Sequence, residues 1–224
     1  MCDGYSFFSS ADMLASSFGI EEMDSEPIEN FNISPSQFVP AILNEEDRIQ
    51  LRHLHWGLIP SWADEADIGD FMIYARDDSL SLMPCFKHAF KSRRCIIPAN
   101  GYFEWTNENG RRQPYFISSN SGELFGFAGL WENWTDATNK KTIESFTIIT
   151  TEAPSETAHL NDRMPVILAK ETYKDWLDPK LQDFKKLKCI LGSGEKGKIK
   201  FQKVSHEVNS IRESSPELMG SLYP

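Results

Sequence analysis

The sequence predicts an α+β fold, a single domain over residues 1–224 in which a mainly antiparallel β-sheet curls into a barrel-like core with helices at its periphery. Short apolar stretches of strand length recur with polar turns between them, as in antiparallel sheets and small barrels. No internal repeat or long linker divides the 224 residues, and 40% of them are hydrophobic, which is ample for a buried core.

Helices are predicted at three places, all of them short. Serines suit the N-cap of the first, at 9–15, and the others are expected at 83–91 and 171–177. The acidic segment 21–29 contains Pro27 and is predicted to be a mobile loop.

The predicted strands alternate with polar turns. Residues 49–58 alternate apolar and polar side chains, and 94–105 indicates two strands around a Pro-Ala-Asn-Gly turn. The remaining extended segments are predicted at 31–35, 114–118, 124–130 and 146–151.

Charge is distributed unevenly along the chain. The net charge is −10, and residues 1–78 hold 16 acidic residues against three arginines. Six basic residues lie in 87–112 and seven lysines in 185–203. Such runs usually mark a solvated surface. The net charge counts against a nucleic-acid partner, although a local basic groove on an acidic protein stays open.

The cysteines and the apolar runs indicate a cytoplasmic protein without a cofactor. Cys2, Cys85, Cys95 and Cys189 are widely spaced with no CxxC pair, which argues against a zinc site or a disulfide scaffold. No cluster of metal ligands is visible, so neither metal nor cofactor is expected. No apolar run approaches the 18 residues of a membrane span, and no signal peptide is visible.

Cys2 allows three interpretations. Removal of Met1 would leave an amine and a thiol on one residue, a pair that forms an imine with an aldehyde and then closes to a thiazolidine. The same residue would also serve as an N-terminal nucleophile for acyl transfer. The third interpretation is an ordinary small residue at a chain terminus.

Three polar stretches interrupt the apolar strands. In 101–105, Glu104 stands between aromatic residues and is either a structural residue or, if removed from water, a proton-transfer group. Arg76 in 73–78 and Arg163 in 158–165 suit bidentate phosphate binding, or they pair with neighbouring aspartates, for which Asp77, Asp78 and Asp162 are candidates.

Taken together and in order, these stretches resemble the SOS response-associated peptidase (SRAP) family of abasic-site processing proteins. The most specific stretch is RCIIPANGYFEW at 94–105. It is accompanied by Met1-Cys2 and by motifs at 31–35, 55–62, 75–76, 113–115, 162–165, 208–209 and 215–218.

The resemblance implies a compact antiparallel α+β fold with a groove for single-stranded DNA containing abasic sites. Cys2 would capture the ring-opened aldehyde of the lesion as a thiazolidine, with Glu104 moving protons. Replication or repair proteins are implied as further partners. The implied DNA-binding residues are Arg76 and Arg163 at phosphates, Trp105 and Trp56 as aromatic contacts, and Thr150 in the lining of the site.

The chain departs from the family pattern beside these residues. Asp3-Gly4 replaces Gly-Arg, Tyr74 replaces an asparagine, and Asn161 replaces a histidine. Tyr74 and Asn161 are therefore catalytic candidates with altered chemistry. His159 is a candidate substitute for the missing imidazole, because it would share a strand face with Asn161.

Three functions remain open at this point. The first is covalent capture of abasic sites. The second is a thiol peptidase or autopeptidase, as the family name suggests. The third is a DNA-binding protein of the same fold that has lost covalent chemistry.

Overall fold

The computed structural model describes residues 4–108, 110–194, 199–210 and 214–222. Cys2 lies outside these ranges. Most of the described chain is extended. The strands are, in chain order, β1 (Tyr5–Phe7), β2 (Glu22–Met23), β3 (Asn30–Ile33), β4 (Phe38–Glu45), β5 (Arg48–Trp56), β6 (Tyr74–Arg76), β7 (Arg94–Ala99), β8 (Gly101–Glu108), β9 (Arg111–Ser119), β10 (Phe125–Thr135), β11 (Thr142–Glu152), β12 (Arg163–Pro165) and β13 (Ile199–Lys203).

The helices are short and lie outside the sheets. They are α1 (Ala11–Phe18), α2 (Pro84–Ser92), α3 (Tyr173–Leu177) and α4 (Phe184–Gly192). The predicted serine cap of α1 is present, since the Ser10 side chain accepts a hydrogen bond from the Met13 backbone N–H at 3.3 Å. Gly19 ends this helix with a φ of 67°, a conformation that favours glycine.

Five strands close the barrel. The order β5-β4-β7-β10-β11 is antiparallel throughout, and β11 then returns to β5 in a parallel pairing of Ser145 with His55 and Phe146 with Trp56. Their inward side chains form one continuous core with the largest rings of the molecule. Burial of this apolar surface supplies the main stabilising term of the fold.

A second sheet packs beside the barrel in the order β13-β9-β8-β1-β3. The chain passes from barrel strand β7 to sheet strand β8 at Asn100, whose backbone N–H donates to Ser6 and whose side chain accepts from Phe8. Gly101 must follow, because a Cβ there would lie 2.4 Å from the carbonyl oxygen of Ile117. Tyr5, Tyr102 and Ile117 of this sheet belong to the barrel's core cluster, which joins the two sheets.

β11 is the element that builds the edge of the barrel. Along one side it pairs with β10 and then, at residues 150–152, with β12. Along the other side it pairs with β5 and then, at residues 148–150, with β6. The end of β11 therefore lies between two three-residue strands that carry Arg76 and Arg163.

The predicted fold class is confirmed: the fold is α+β, mainly antiparallel, with a closed barrel core and peripheral helices. Each predicted helix overlaps an observed one. The strands on either side of residue 100 are also present, although they pair in different sheets. Segment 21–29 contains the short strand β2, which the prediction of a loop missed. In the described part of the chain, no helix is both long and apolar enough to cross a membrane.

Candidate functional site

A carboxylate and an amide meet at the junction of the two sheets. Glu104 lies on β8 with 3% exposure, and its Oε2 accepts a hydrogen bond from the Asn161 side-chain N–H at 3.0 Å. Asn161 stands just before β12, and its own oxygen accepts from the Arg163 backbone N–H at 3.1 Å. The same amide therefore orients Glu104 and fixes the entry into β12.

Arg163 is held at the end of β11. Its Nε donates to the Thr150 hydroxyl at 3.1 Å and one terminal nitrogen to the Thr150 carbonyl at 2.5 Å. The same nitrogen forms an ion pair with Asp77 at 3.0 Å. Asp77 also accepts from the Thr151 hydroxyl at 2.9 Å. Arg163 is 6% exposed, and its charge is paired with Asp77 inside the molecule.

Arg76 lies beside this group but faces solvent. Its guanidinium binds Asp78 in a bidentate contact, with distances of 2.7 and 3.2 Å. The hydrogen bond and charge of Asp78 raise the pKa of Arg76, and the hydrogen bond from Arg76 lowers the pKa of Asp78. An exposed pair of this kind is weak and exchanges readily with a competing anion.

Trp105 forms a second patch of the site on β8. Its indole N–H donates to the Asn209 side chain at 2.9 Å, and the Arg112 guanidinium lies over its ring at 4.9 Å from the centroid. The ring remains partly exposed. This arrangement leaves an aromatic surface next to a cation, which is a favourable combination for stacking a nucleic-acid base.

Two predicted site residues lie in the interior instead. Trp56 has 0% exposure, stacks on Phe146 and donates its indole N–H to the Ile73 carbonyl at 3.0 Å. The predicted DNA contact of Trp56 is therefore wrong, because its side chain has no surface to offer. Tyr74 packs edge-on against Trp56 at 6.0 Å and is only partly exposed.

Thr150 has 0% exposure and contacts Arg163, so it acts on the site through that arginine. The premise for His159 is wrong as well. Residues 155–160 form turns and β12 begins only at Arg163, so His159 shares no strand face with Asn161. The His159 ring packs on Phe201 of β13 at 5.5 Å, on the exposed side of the second sheet.

Among the described cysteines, two are unsuited to nucleophilic chemistry. Burial raises the pKa of the Cys95 thiol in the barrel core and that of the Cys85 thiol in α2. Cys189 is exposed on α4. Gly4 is the first described residue, and its carbonyl accepts from the Phe103 backbone N–H at 2.9 Å, next to Glu104.

Sequence reasoning missed several parts of this arrangement. The sequence pattern offers Asp77 only as one of three candidate partners for the arginines. It does not link Arg112 to Trp105. Lys188 on α4, which donates to the Asp77 carbonyl, was one lysine in a basic run. The run of lysines indicates a basic surface. Only the tertiary contacts show that Lys188 is the lysine that reaches the Asp77 turn.

Fold and geometry thus define a small mixed-barrel protein with a buried carboxylate–amide pair beside an arginine-bearing edge. The family model of the SOS response associated peptidase, SRAP, matches residues 1–211. The chain belongs to the SRAP family.

Several characterised relatives are similar over nearly the whole chain. The abasic site processing protein YoqW of Bacillus subtilis is 38% identical, covering 99% of this chain and 100% of that protein. The abasic site processing protein YedK of Escherichia coli is 27% identical, covering 88% and 86%. A crystal structure of a Bacteroides thetaiotaomicron protein superposes with a TM-score of 0.87 at 26% identity, covering 98% of this chain and 99% of that one.

Proposed function

We propose that this protein processes abasic sites in single-stranded DNA by capturing them covalently through Cys2. The observation that carries the proposal is the buried Glu104–Asn161 pair at the edge that bears Arg76 and Arg163. The relatives named as abasic site processing proteins, matched over 86–100% of their length, support the same activity here.

Chain connectivity supports Cys2 as the partner of Glu104. Gly4 is hydrogen-bonded to Phe103, and two residues of chain span at most about 7 Å. This short separation along the chain supports Cys2 as the nucleophile that we propose to act with Glu104. Of the described cysteines, Cys85 and Cys95 are buried, and the exposed Cys189 lies on α4.

The proposed reaction balances with one water released. The Cys2 amine attacks the C1′ aldehyde of the ring-opened lesion, and the resulting carbinolamine loses water to form an imine. The thiol then adds to the imine carbon and its proton passes to the ring nitrogen. Glu104 supplies a carboxyl group that gives a proton to the departing water and accepts one from the attacking groups.

Asn161 has a different role from an acid or base, because a side-chain amide donates and accepts hydrogen bonds but does not ionise at neutral pH. Its N–H holds one carboxylate oxygen of Glu104 at 3.0 Å, and its carbonyl holds the backbone of Arg163. We assign it to positioning the proton-transfer group. Trp105, Arg76 and Arg163 are assigned to holding the DNA strand around the lesion.

The cellular setting follows from the proposed substrate. A protein that captures abasic DNA acts in the response to DNA damage, in the compartment that holds the DNA. In a bacterial cell this is the cytoplasm, where replication and repair proteins are available as partners.

The test is a denaturing gel of the native-start protein incubated with a single-stranded oligonucleotide containing one abasic site. A heat-stable, slower-migrating DNA band is expected, and it should be absent with Cys2→Ala. Cys189→Ala is the matched control and should give the full band. Binding of the oligonucleotide without a band would leave a DNA-binding protein that has lost covalent chemistry, and peptide hydrolysis without a band would indicate the peptidase.

A further inference from the structure

Lys188 of α4 lies at the edge of the proposed DNA site. The helix begins after Asp183, whose side chain accepts from the backbone N–H groups of residues 185 and 186. One turn further along, the half-buried Lys188 extends its ammonium to the main-chain carbonyl of Asp77. The helix thus delivers a cation to the turn that directly follows Arg76.

The charges around Lys188 are unequally satisfied. Asp77 is paired with Arg163 at 3.0 Å and Asp78 with Arg76 at 2.7 Å. Within the described part of the chain, Lys188 has no carboxylate within ion-pair distance; its contacts are the Asp77 carbonyl and the face of Phe184 at 5.8 Å. Among the described residues, Lys188 is therefore the member of this trio of cations, with Arg76 and Arg163, that forms no ion pair.

Lys188 and Arg76 both act electrostatically on the Asp78 carboxyl. The pKa of the Asp78 carboxyl is lowered first by its hydrogen bond to Arg76, and the charge of Lys188 contributes in the same direction. An ammonium has three N–H donors, and the carbonyl of Asp77 takes one. The other donors are available to an anion that approaches the exposed side of Arg76.

We propose that Lys188 forms a phosphate subsite, which binds the DNA backbone phosphate adjacent to the one held at Arg76. This inference rests on the proposed function, because it takes single-stranded DNA as the ligand. A phosphodiester bound at Lys188 would give its ammonium an anionic partner. Neither aspartate has to leave its arginine for this contact to form. The subsite would extend the strand's path from the lesion along the first turns of α4.

The other lysines of α4 provide an internal control. Residues 186 and 188 are two positions apart, which places them about 200° apart around the helix axis. Lys186 is exposed, whereas Lys188 is half-buried against the Asp77 turn. Replacing Lys186 removes the same charge from the same helix without touching the proposed subsite.

The first measurement is the salt dependence of binding to a single-stranded oligonucleotide that contains no abasic site. Each phosphate contact on a single strand contributes about 0.7 to the slope of log K against log salt. Lys188→Met should lower the slope by about 0.7 and weaken binding about fivefold at 0.1 M salt. Lys188→Arg should restore both, and Lys186→Met should match wild type.

The second measurement locates the phosphate. One backbone phosphate at a time is replaced by an uncharged methylphosphonate, and affinities are measured for wild type and Lys188→Met. One linkage should weaken wild-type binding and have little further effect on the variant, because both changes remove the same contact. Additive losses at every linkage would overturn the subsite and assign Lys188 to supporting the Asp77 turn.

Failure of this inference is separable from failure of the proposed function. If wild type forms the covalent band but Lys188→Met has an unchanged salt slope, the subsite is wrong and abasic-site capture stands. If wild type does not bind single-stranded DNA at all, both are overturned. Equal thermal melting of the two methionine variants verifies that the comparison is between folded proteins.

Discussion

At the scale of single residues, Asn161 stands where the family resemblance leads us to expect an imidazole. Asn161 donates to Glu104 and cannot itself carry a proton through the reaction. Glu104 is a candidate from its position between aromatic residues, whereas Asn161 is a candidate only through the resemblance. Their contact was beyond local pattern, since 57 residues separate them and the two sheets bring them together.

Asn161→His tests this assignment directly. An imidazole at this position adds an acid–base group beside Glu104, and such groups contribute about 10²–10⁴ in rate. We expect the first-order rate of covalent band formation at saturating DNA to rise about tenfold or more. Asn161→Ala should slow the reaction instead, because it leaves Glu104 without its positioning amide. A histidine variant slower than wild type would contradict the assignment.

Asp77 and Asp78 make a matched pair for stability. Asp77→Asn removes the counter-charge of an arginine with 6% exposure, and we expect the free energy of unfolding to fall by about 1–2 kcal/mol. Asp78→Asn affects a solvent-exposed pair and should lower the free energy of unfolding far less than Asp77→Asn does. Urea unfolding of both variants measures the difference, and equal losses would contradict the structural role of Asp77.

At the scale of elements, most of the long strands were predicted, and β4 and α4 were missed. β5 and β11 lie close to their predicted positions. β4 was not predicted, because its sequence FVPAILNE is buried along most of its length and contains Pro40. A proline counts against a central strand. α4 was not predicted, because its three lysines indicate a solvated surface. Its apolar face is small, since its buried residues are only Leu187, Ile190 and Leu191.

Arg94 shows how one side chain joins several elements. From β7 its guanidinium donates to the carbonyls of Phe90 and Lys91 at the end of α2 and of Trp176 and Asp178 at the end of α3. Burial lowers the pKa of Arg94 to about 10, so it remains protonated at pH 7. Local sequence does not indicate this role, because the carbonyls of Trp176 and Asp178 are 82 and 84 residues away along the chain.

Arg94→Met should therefore be strongly destabilising. The methionine fills much of the space but leaves the buried hydrogen bonds to the Phe90 and Trp176 carbonyls, and the half-buried one to the Lys91 carbonyl, unmade. The Asp178 carbonyl still accepts from the Leu181 backbone N–H. Each unsatisfied buried group costs about 1–3 kcal/mol. Allowing for relaxation and water entry, we expect a loss of about 3 kcal/mol in the free energy of unfolding. Arg93→Met, in which only the contact with Glu132 is lost, is the comparison. A smaller loss at Arg94 than at Arg93 would contradict this account.

At the scale of the whole molecule, barrel closure determines where the predicted site residues lie. The parallel return of β11 to β5 buries Trp56, and no local pattern around residue 56 predicts that pairing. The same strand places Arg76 and Arg163 on its two sides. Motif order therefore predicted the fold class, whereas barrel closure decides which of the candidate residues are buried and which lie at the edge of the barrel.

The central claim is that Cys2 closes a ring on the lesion, and mass spectrometry of the isolated conjugate tests it most directly. After nuclease and protease digestion, the account predicts a peptide that begins at Cys2, lacks Met1 and carries the sugar remnant on that cysteine. The mass should correspond to condensation with loss of one water, and borohydride should leave it unchanged because no imine remains. A peptide that retains Met1, or a borohydride-trapped adduct on a lysine, would contradict the claim.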